Sequence, residues 1–321
     1  MPSSYDAWDY FLHPPVSPIS VLHNEEWQKK GVQVYLKRDD LLFVPSHPEI
    51  AGNKWRKMWG TFKQYNRDQK WPVITQGGLH SNHLAALAAA GNFLGIETVG
   101  LVRGENKTEV SPTCQKATAY GMKLHFISRN EYKLLTSDLL PSFLKNKYPH
   151  FHFIPEGGSN ATSSLGFSLL MNELKTKWEE KDLINEKISI AVPVGTGGTI
   201  KGLFAHNTLG IQLLGIYVLK GFSENILGQG IDLHYDFHLG GYASFHQGLV
   251  EFIQDFYLKY QIILDPIYSG KLLYALNELI RRDYFKPGTT LIAVHTGGLQ
   301  GIEAFNNRYQ THLPTNPSYQ P

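Results

Sequence analysis

Apolar and polar positions follow two rhythms along the chain. Short runs dominated by Val, Ile and Leu recur at VQVYLK (32–37), PVIT (72–75), TVGLV (98–102), KLHFI (123–127), FHFI (151–154), ISIAVPV (188–194), QLLGIYVL (212–219) and TLIAV (290–294). Several are apolar at nearly every position, as expected of strands covered on both faces. Between them lie segments of helical length over 53–69, 81–93, 112–120, 131–146, 164–180, 199–208, 248–260 and 271–283. This alternation predicts an α/β fold with mostly parallel, twisted sheets flanked by helices. Turn chemistry agrees with it. Ser111–Pro112 reads as an N-cap followed by proline at the first helical position, with Gly121 just past the end, and Lys286–Pro287–Gly288 reads as the turn before the last strand. Residues 221–247 are rich in Gly, His and aromatics without clear periodicity and read as a long loop region. Eight strands over 321 residues imply two sheets. The expected division is a smaller, mobile α/β domain over 53–158 and a larger one assembled from 1–52 and 159–321.

Composition narrows the function. With 42% hydrophobic and 18% charged residues the chain is globular rather than disordered. Thirty basic against 28 acidic residues leave a net charge of +2, which gives no electrostatic reason to expect nucleic acid or an anionic membrane as partner. Cys114 is the single cysteine, so an intrachain disulfide and a cysteine metal cage are excluded and a reducing, cytoplasmic compartment is expected. The start, MPSSYDAWDYFLHPPVSP, lacks the basic and apolar regions of a secretory signal, and no run approaches the roughly 20 apolar residues of a membrane span.

Glycine clusters sit at the ends of expected strands, where open α/β sheets place ligands. They are TQGGLHSNH (75–83), VPVGTGGTIKG (192–202), VHTGGLQG (294–301) and the weaker EGGSN (156–160). In the second, a strand runs through Gly195-Thr196-Gly197-Gly198-Thr199 into a helix. Bare amides at a helix N-terminus with small side chains suit a phosphate, a tight turn without ligand being the alternative. A P-loop is excluded because Ile200 precedes Lys201, and the GxGxxG pattern fails because Ile200 takes the place of its third glycine. In the first cluster, Ser81 and Asn82 stand at the N-cap of an Ala-rich helix. A hydroxyl, an amide and helix-terminal N–H groups suit a carboxylate, and ordinary capping is the alternative. His80 and His83 raise a metal site, yet no third ligand has suitable spacing, so no metal is expected. Lys54 opens a helix that also carries Trp55, Met58, Trp59 and Phe62. Burial there would lower its pKa and free a nucleophilic amine; a solvated lysine beside Arg56 and Lys57 is the alternative.

Taken in order, KRDDLL (37–42), AGNKWRK (51–57), QGGLHSNH (76–83), VGTGGT (194–199), DPIYSGK (265–271) and HTGG (295–298) form a wider pattern. The chain resembles the D-cysteine desulfhydrase / 1-aminocyclopropane-1-carboxylate deaminase family of pyridoxal-phosphate (PLP) enzymes, of tryptophan-synthase-β fold, PLP fold type II. The resemblance implies that PLP is the cofactor and that Lys54 is its Schiff-base lysine. It implies that Gly195, Thr196, Gly197, Gly198 and Thr199 hold the cofactor phosphate and that Asn82 bonds its phenolic oxygen. Ser81 would face the substrate, whose carboxylate would rest on the helix start at Ser81–Asn82–His83. Tyr268 matches an active-site tyrosine and Tyr242, in LGGYAS, a second one, although 221–247 matches the family poorly. Ser269 and Thr296 stand where the deaminase branch carries glutamate and leucine. A neutral hydroxyl beside the pyridine nitrogen implies a weaker electron sink, adequate for β-elimination but not for opening a cyclopropane ring. The resemblance therefore implies a cytoplasmic, homodimeric lyase acting on a small amino acid, D-cysteine, to give pyruvate, sulfide and ammonia. Deamination of 1-aminocyclopropane-1-carboxylate to 2-oxobutyrate and ammonia is the first alternative, and a non-catalytic PLP-binding protein the second.

Overall fold

The strand Thr289–Val294 shows how the continuous apolar runs are used: Leu291 and Ala293 enter one hydrophobic cluster, Ile292 and Val294 another. Alternate side chains point to opposite faces, so an unbroken apolar run is required where both faces are covered. The computed structural model describes residues 6–104, 111–135, 140–158, 162–179, 187–221 and 231–315. These form two units, each with its own mostly or wholly parallel sheet.

The first unit holds the described residues of Met1–Pro14, Phe43–Ile50 and Lys54–Gly166. Its sheet has the order Lys123–Ile127, Thr98–Arg103, Val73–Gly77, His152–Ile154, and each neighbouring pair is parallel. The helix Asn82–Leu94 (NHLAALAAAGNFL) is buried along most of its length. Its small residues allow close approach to the sheet: a Cβ on Gly91 would lie 2.4 Å from Thr98 Cγ2. Gly95 ends it in the left-handed conformation, φ +70°. Ile74, Val99 and Leu101 pack with Tyr132 and Leu144 of further helices.

The second unit holds Pro15–Leu42, Ala51–Asn53 and the described part of Phe167–Pro321. Its six-stranded sheet runs Ile19–Leu22, Val32–Lys37, Thr289–Val294, Lys187–Val194, Gln212–Tyr217, Ile231–His234. Only the edge pair Ile19–Leu22 and Val32–Lys37 is antiparallel. One core cluster takes Leu249 and Ile253 of the helix Gln247–Tyr260 with Leu272 and Leu276 of Ser269–Arg281. The other takes Phe167 and Leu174 of Gly166–Glu179 with Ile200 and Leu203 of Gly198–Ala205. Truncating any of these buried leucines to alanine removes about 2–5 kcal/mol of stability.

All eight expected strands occur, with ends moved by one or two residues. The helix expected over 131–146 is replaced by two short ones, Arg129–Leu134 and Ser142–Lys147. Pro141 stands at the N-cap of the second, where it has no N–H to continue a helix and biases the residue before it away from helical geometry. The long loop expected over 221–247 contains a strand, Ile231–His234, and residues 222–230 of it lie outside the described residues, as do Ser159 and Asn160 of EGGSN. The division assigned 1–52 to the larger domain, whereas the described part of Met1–Pro14 and Phe43–Ile50 counts with the first unit.

Candidate active site

In the first unit two lysines meet at the Gly157 carbonyl. It accepts from Lys57 Nζ at 3.0 Å and from Lys54 Nζ at 3.5 Å. Burial lowers the Lys54 amine from 10.5 to about 8. Lys57 is pushed well below its ordinary value, first by burial and then by Lys54. A second cation close to a part-buried amine is one way a protein keeps such an amine in reach of deprotonation.

The loop after Val73–Gly77 is set by glycine. A Cβ on Gly77 would come within 2.8 Å of Ser81 Cβ and Oγ, so only glycine lets Ser81 fold back over the strand end. Ser81 is the N-cap of Asn82–Leu94, yet its side chain makes no cap hydrogen bond. The first-turn amides therefore have no side-chain partner there, and the Ser81 hydroxyl and Asn82 amide stay uncommitted among the described residues. His83 behaves differently. Its ring is 2% exposed, and Nε2 lies 3.0 Å from Thr75 Oγ1. Thr75 Oγ1 gives its own proton to Ile154 O at 2.7 Å, so Nε2 must be the donor and the ring is the Nε2–H tautomer. Burial first, then Lys54 and Lys57, holds it neutral, well below 6.5. With the ring turned inward, what His83 offers at the helix start is its backbone N–H.

In the second unit, Lys187–Val194 delivers the chain into Gly195–Gly198. Gly197 has φ +81° and is the N-cap of Gly198–Ala205, with no side-chain cap. A left-handed glycine followed by an uncapped helix start aims its amides at one point and suits an oxyanion. Asn53 bonds this turn: its Nδ2 donates to Thr199 Oγ1 at 2.9 Å, and Thr199 Oγ1 donates to Asn53 Oδ1 at 3.2 Å. Asn53 N in turn donates to Thr296 O at 3.1 Å, and a Cβ on Gly52 would meet that carbonyl at 2.5 Å. Thr296 thus contributes its backbone, and Asn53 is the neighbour of Lys54 in the chain.

Tyr268 lies beside the same turn: Cβ atoms built on Gly195 and Gly298 would sit 3.5 and 4.0 Å from its ring. Burial, then Tyr242, then Asp265 push its hydroxyl upward. Tyr242, half exposed, is raised by burial and Asp265. The structure thus brings the two tyrosines together, including the one in the poorly matching segment. Ser269 opens the helix Ser269–Arg281 and is fully committed: its Oγ donates to Asp265 Oδ2 at 2.5 Å and accepts from Asp265 N at 3.0 Å. A carboxylate takes a hydroxyl proton more strongly than a neutral acceptor does, so the proton expected to face a pyridine nitrogen is held by Asp265.

Four residues and one carbonyl escaped the sequence reading. Asp265 is fully buried and accepts from the amides of Ile267, Tyr268 and Ser269 as well as from Ser269 Oγ. Lys271, fully buried, donates to the carbonyls of Val218, His238 and Gly241 at 3.1, 2.7 and 2.6 Å. Both lie within the quoted DPIYSGK motif, where for Lys271 a charge on an apolar helix face was the available signal. Asn53 and Lys57 flank Lys54 within AGNKWRK. The Gly157 carbonyl has no side-chain signal at all.

Each unit holds groups that suit a part of PLP: in the first, a part-buried amine of lowered pKa and uncommitted polar groups at Ser81 and Asn82; in the second, an uncapped glycine turn that suits a phosphate. Among the described residues no cluster of His, Cys, Asp or Glu could hold a metal, and no helix is long and apolar enough to cross a membrane.

No protein-family model matches the chain. Individual proteins do. A bifunctional D-cysteine desulfhydrase/1-aminocyclopropane-1-carboxylate deaminase of Arabidopsis thaliana, named as mitochondrial, is 27% identical over 94% of this chain and 83% of its own length. A D-cysteine desulfhydrase of Salmonella paratyphi A is 25% identical over 86% of this chain and 90% of its own. Among solved structures, an ACC deaminase homologue superimposes with a TM-score of 0.73 at 26% identity, covering 92% of this chain and 94% of that one. A threonine deaminase of Solanum lycopersicum, at 16% identity and TM-score 0.62 over 92% of this chain and 84% of that one, shares the fold. Over most of its length the chain is similar in sequence to proteins named D-cysteine desulfhydrase and 1-aminocyclopropane-1-carboxylate deaminase, and its architecture is PLP fold type II.

Proposed function

We propose that the protein is a PLP-dependent lyase that eliminates the β-substituent of a small amino acid and deaminates it, with D-cysteine giving pyruvate, sulfide and ammonia. The observation that carries the proposal is the Lys54 amine, part-buried and brought down to about 8. Lys54 would hold the cofactor aldehyde, Gly195–Thr199 its phosphate, and Asn82 its phenolic oxygen. The bound cofactor supplies an aldehyde for amines and an electron-accepting ring. The chain's own groups do the rest. The amides of Asn82 and His83, with the Ser81 hydroxyl, hold the substrate carboxylate at the positive end of their helix. Lys54, as a free amine, takes the Cα proton; a base with a pKa near the working pH is effective at this. Tyr268 and Tyr242 keep their protons, as their upward shifts require, and donate hydrogen bonds to the departing thiolate, which leaves as an anion of a stronger acid than either phenol. Asp265, by saturating Ser269 and the amides around Tyr268, fixes that tyrosine in place.

The relative named as bifunctional supports a second activity, release of 2-oxobutyrate from 1-aminocyclopropane-1-carboxylate. Ser269, a hydroxyl where a carboxylate would strengthen the electron sink, favours the first. The protein acts as a homodimer in the cytoplasm; the resemblance supports the dimer, and light scattering tests it. The decisive experiment is an absorbance titration of purified protein with D-cysteine, L-cysteine, D-serine and 1-aminocyclopropane-1-carboxylate, assaying pyruvate against 2-oxobutyrate. Spectral change and pyruvate release with D-cysteine are expected. A protein that binds PLP but responds to none of them is instead a non-catalytic binder.

A further inference from the structure

The carboxyl ends of the four parallel strands in the first unit carry a polar cavity of about 700 Å³ that the proposed chemistry does not use. Its walls include Gln76, Arg103, Arg129, Tyr132, Lys133 and Glu156. Strand register explains the gathering. Gln76 lies opposite Leu101, and Arg103, two residues on, lies opposite Ile127, just before Arg129. Glu156 follows Ile154, the partner of Thr75. Single polar residues at the ends of neighbouring strands are thus brought to one place, the edge where parallel sheets hold ligands.

One polar group here is buried without a partner: Gln76 is 8% exposed, and its Oε1 is out of solvent with no hydrogen bond, while the Tyr132 hydroxyl, in a residue 5% exposed, faces the Glu156 carboxylate. A buried amide oxygen left without a hydrogen bond is destabilising unless something fills the space. Arg103 lies over the Tyr132 ring at 5.4 Å, and its Nη2 would be 3.6 Å from a Cβ on Gly78, so it abuts the loop leading to Ser81. Neither Arg103 nor Arg129 has an ion-pair partner among the described residues. Against three cations stands Glu156, whose carboxylate raises the Tyr132 hydroxyl further.

Guanidinium forks donate to an oxyanion. The Gln76 oxygen can only accept, so the ligand must also bring a hydrogen, as a phosphate or hydroxy-acid hydroxyl does. We propose that this cavity binds a small oxyanion, a carboxylate or phosphate group that also carries a hydroxyl, beside the 77–83 loop. The anion is either the far end of an amino-acid substrate or a separate effector. Only the first source rests on the lyase reading.

The test is calorimetric titration of the PLP-saturated protein with inorganic phosphate, alongside Arg103→Gln, Arg129→Gln and Gln76→Leu, with circular dichroism confirming that each variant folds. Binding by the wild type that weakens at least about tenfold in each arginine variant is expected. No binding, or an unchanged affinity in both arginine variants, overturns the proposal. Two further arms separate the sources. If O-phospho-D-serine competes with D-cysteine better than D-serine does, and Arg103→Gln erases the advantage, the anion belongs to the substrate. If phosphate changes D-cysteine turnover without competing for the site, it is an effector. A protein that turns over no amino acid but loses phosphate binding in the arginine variants leaves this site standing while the lyase reading falls.

Discussion

Two lysines, one in each unit, lose affinity for a proton for the same reason and end in opposite chemical situations. Burial brings both Lys54 and Lys271 from 10.5 to about 8, with Asp265 opposing the shift at Lys271. Lys271 has three N–H donors and finds three carbonyls within 3.1 Å. Lys54 has one acceptor among the described residues, at 3.5 Å, and Lys57 already bonds it more closely. Loss of a proton at Lys271 would orphan a buried carbonyl; at Lys54 it would orphan almost nothing. The pKa alone therefore does not distinguish a reactive amine from a structural cation. The count of satisfied acceptors does.

Exchanging each lysine for methionine breaks the comparison most sharply. Lys54→Met is expected to lower turnover by at least about 10³-fold while leaving the melting temperature near that of the cofactor-free wild type. Lys271→Met is expected to take a donor from each of three carbonyls, of which that of His238 keeps the Gly241 N–H, and to remove about 3–5 kcal/mol of stability, read as the midpoint of denaturant unfolding. Equal stability losses in the two variants would erase the distinction. Reduction of the PLP adduct with borohydride, followed by peptide mapping, sharpens it: the label belongs on Lys54 and not on Lys271.

The pH dependence of stability is a smaller effect with a definite sign. The unfolded chain keeps the Lys54 proton up to 10.5, the folded chain only to about 8. Between those values the unfolded state binds more protons, so stability rises with pH across the window, and the contribution is least favourable below it. Cofactor-free Lys54→Met should therefore gain less stability than wild type between about pH 7.5 and about pH 10, by chemical denaturation. The smallest effect is expected at Asn53. Asn53→Ala removes the pair of bonds to Thr199 and should weaken PLP affinity by about tenfold, roughly 1.4 kcal/mol, measured by fluorescence titration. An unchanged affinity would show that Gly195–Thr199 needs no such brace.

What the amino-acid pattern revealed, and what it hid, follows from physical range. Strands such as TLIAV were legible because two-sided burial demands a continuous apolar run, a local property. Ile19–Leu22 was not, since four residues at a sheet edge with one buried position leave little pattern. The segment Ile231–His234 was missed for the same reason, being only half-buried throughout. The glycine turn and Lys54 could be found because phosphate and amine chemistry need particular residues at particular spacings. Asp265 and Lys271 stood in plain view inside a recognised motif, but their partners are backbone groups, and backbone groups have no letter in the sequence. Gln76 and Arg103 look like ordinary strand-end residues until register sets their strands side by side.

An ammonium seated among the carbonyls of Val218, His238 and Gly241 does what a bound potassium ion does elsewhere: it gathers oxygen dipoles from separate stretches of chain around one positive charge. Here that charge is tethered by four methylenes to a helix. It cannot be dialysed away or replaced by sodium, so the backbone beside Tyr242 keeps its shape whatever the salt composition around it.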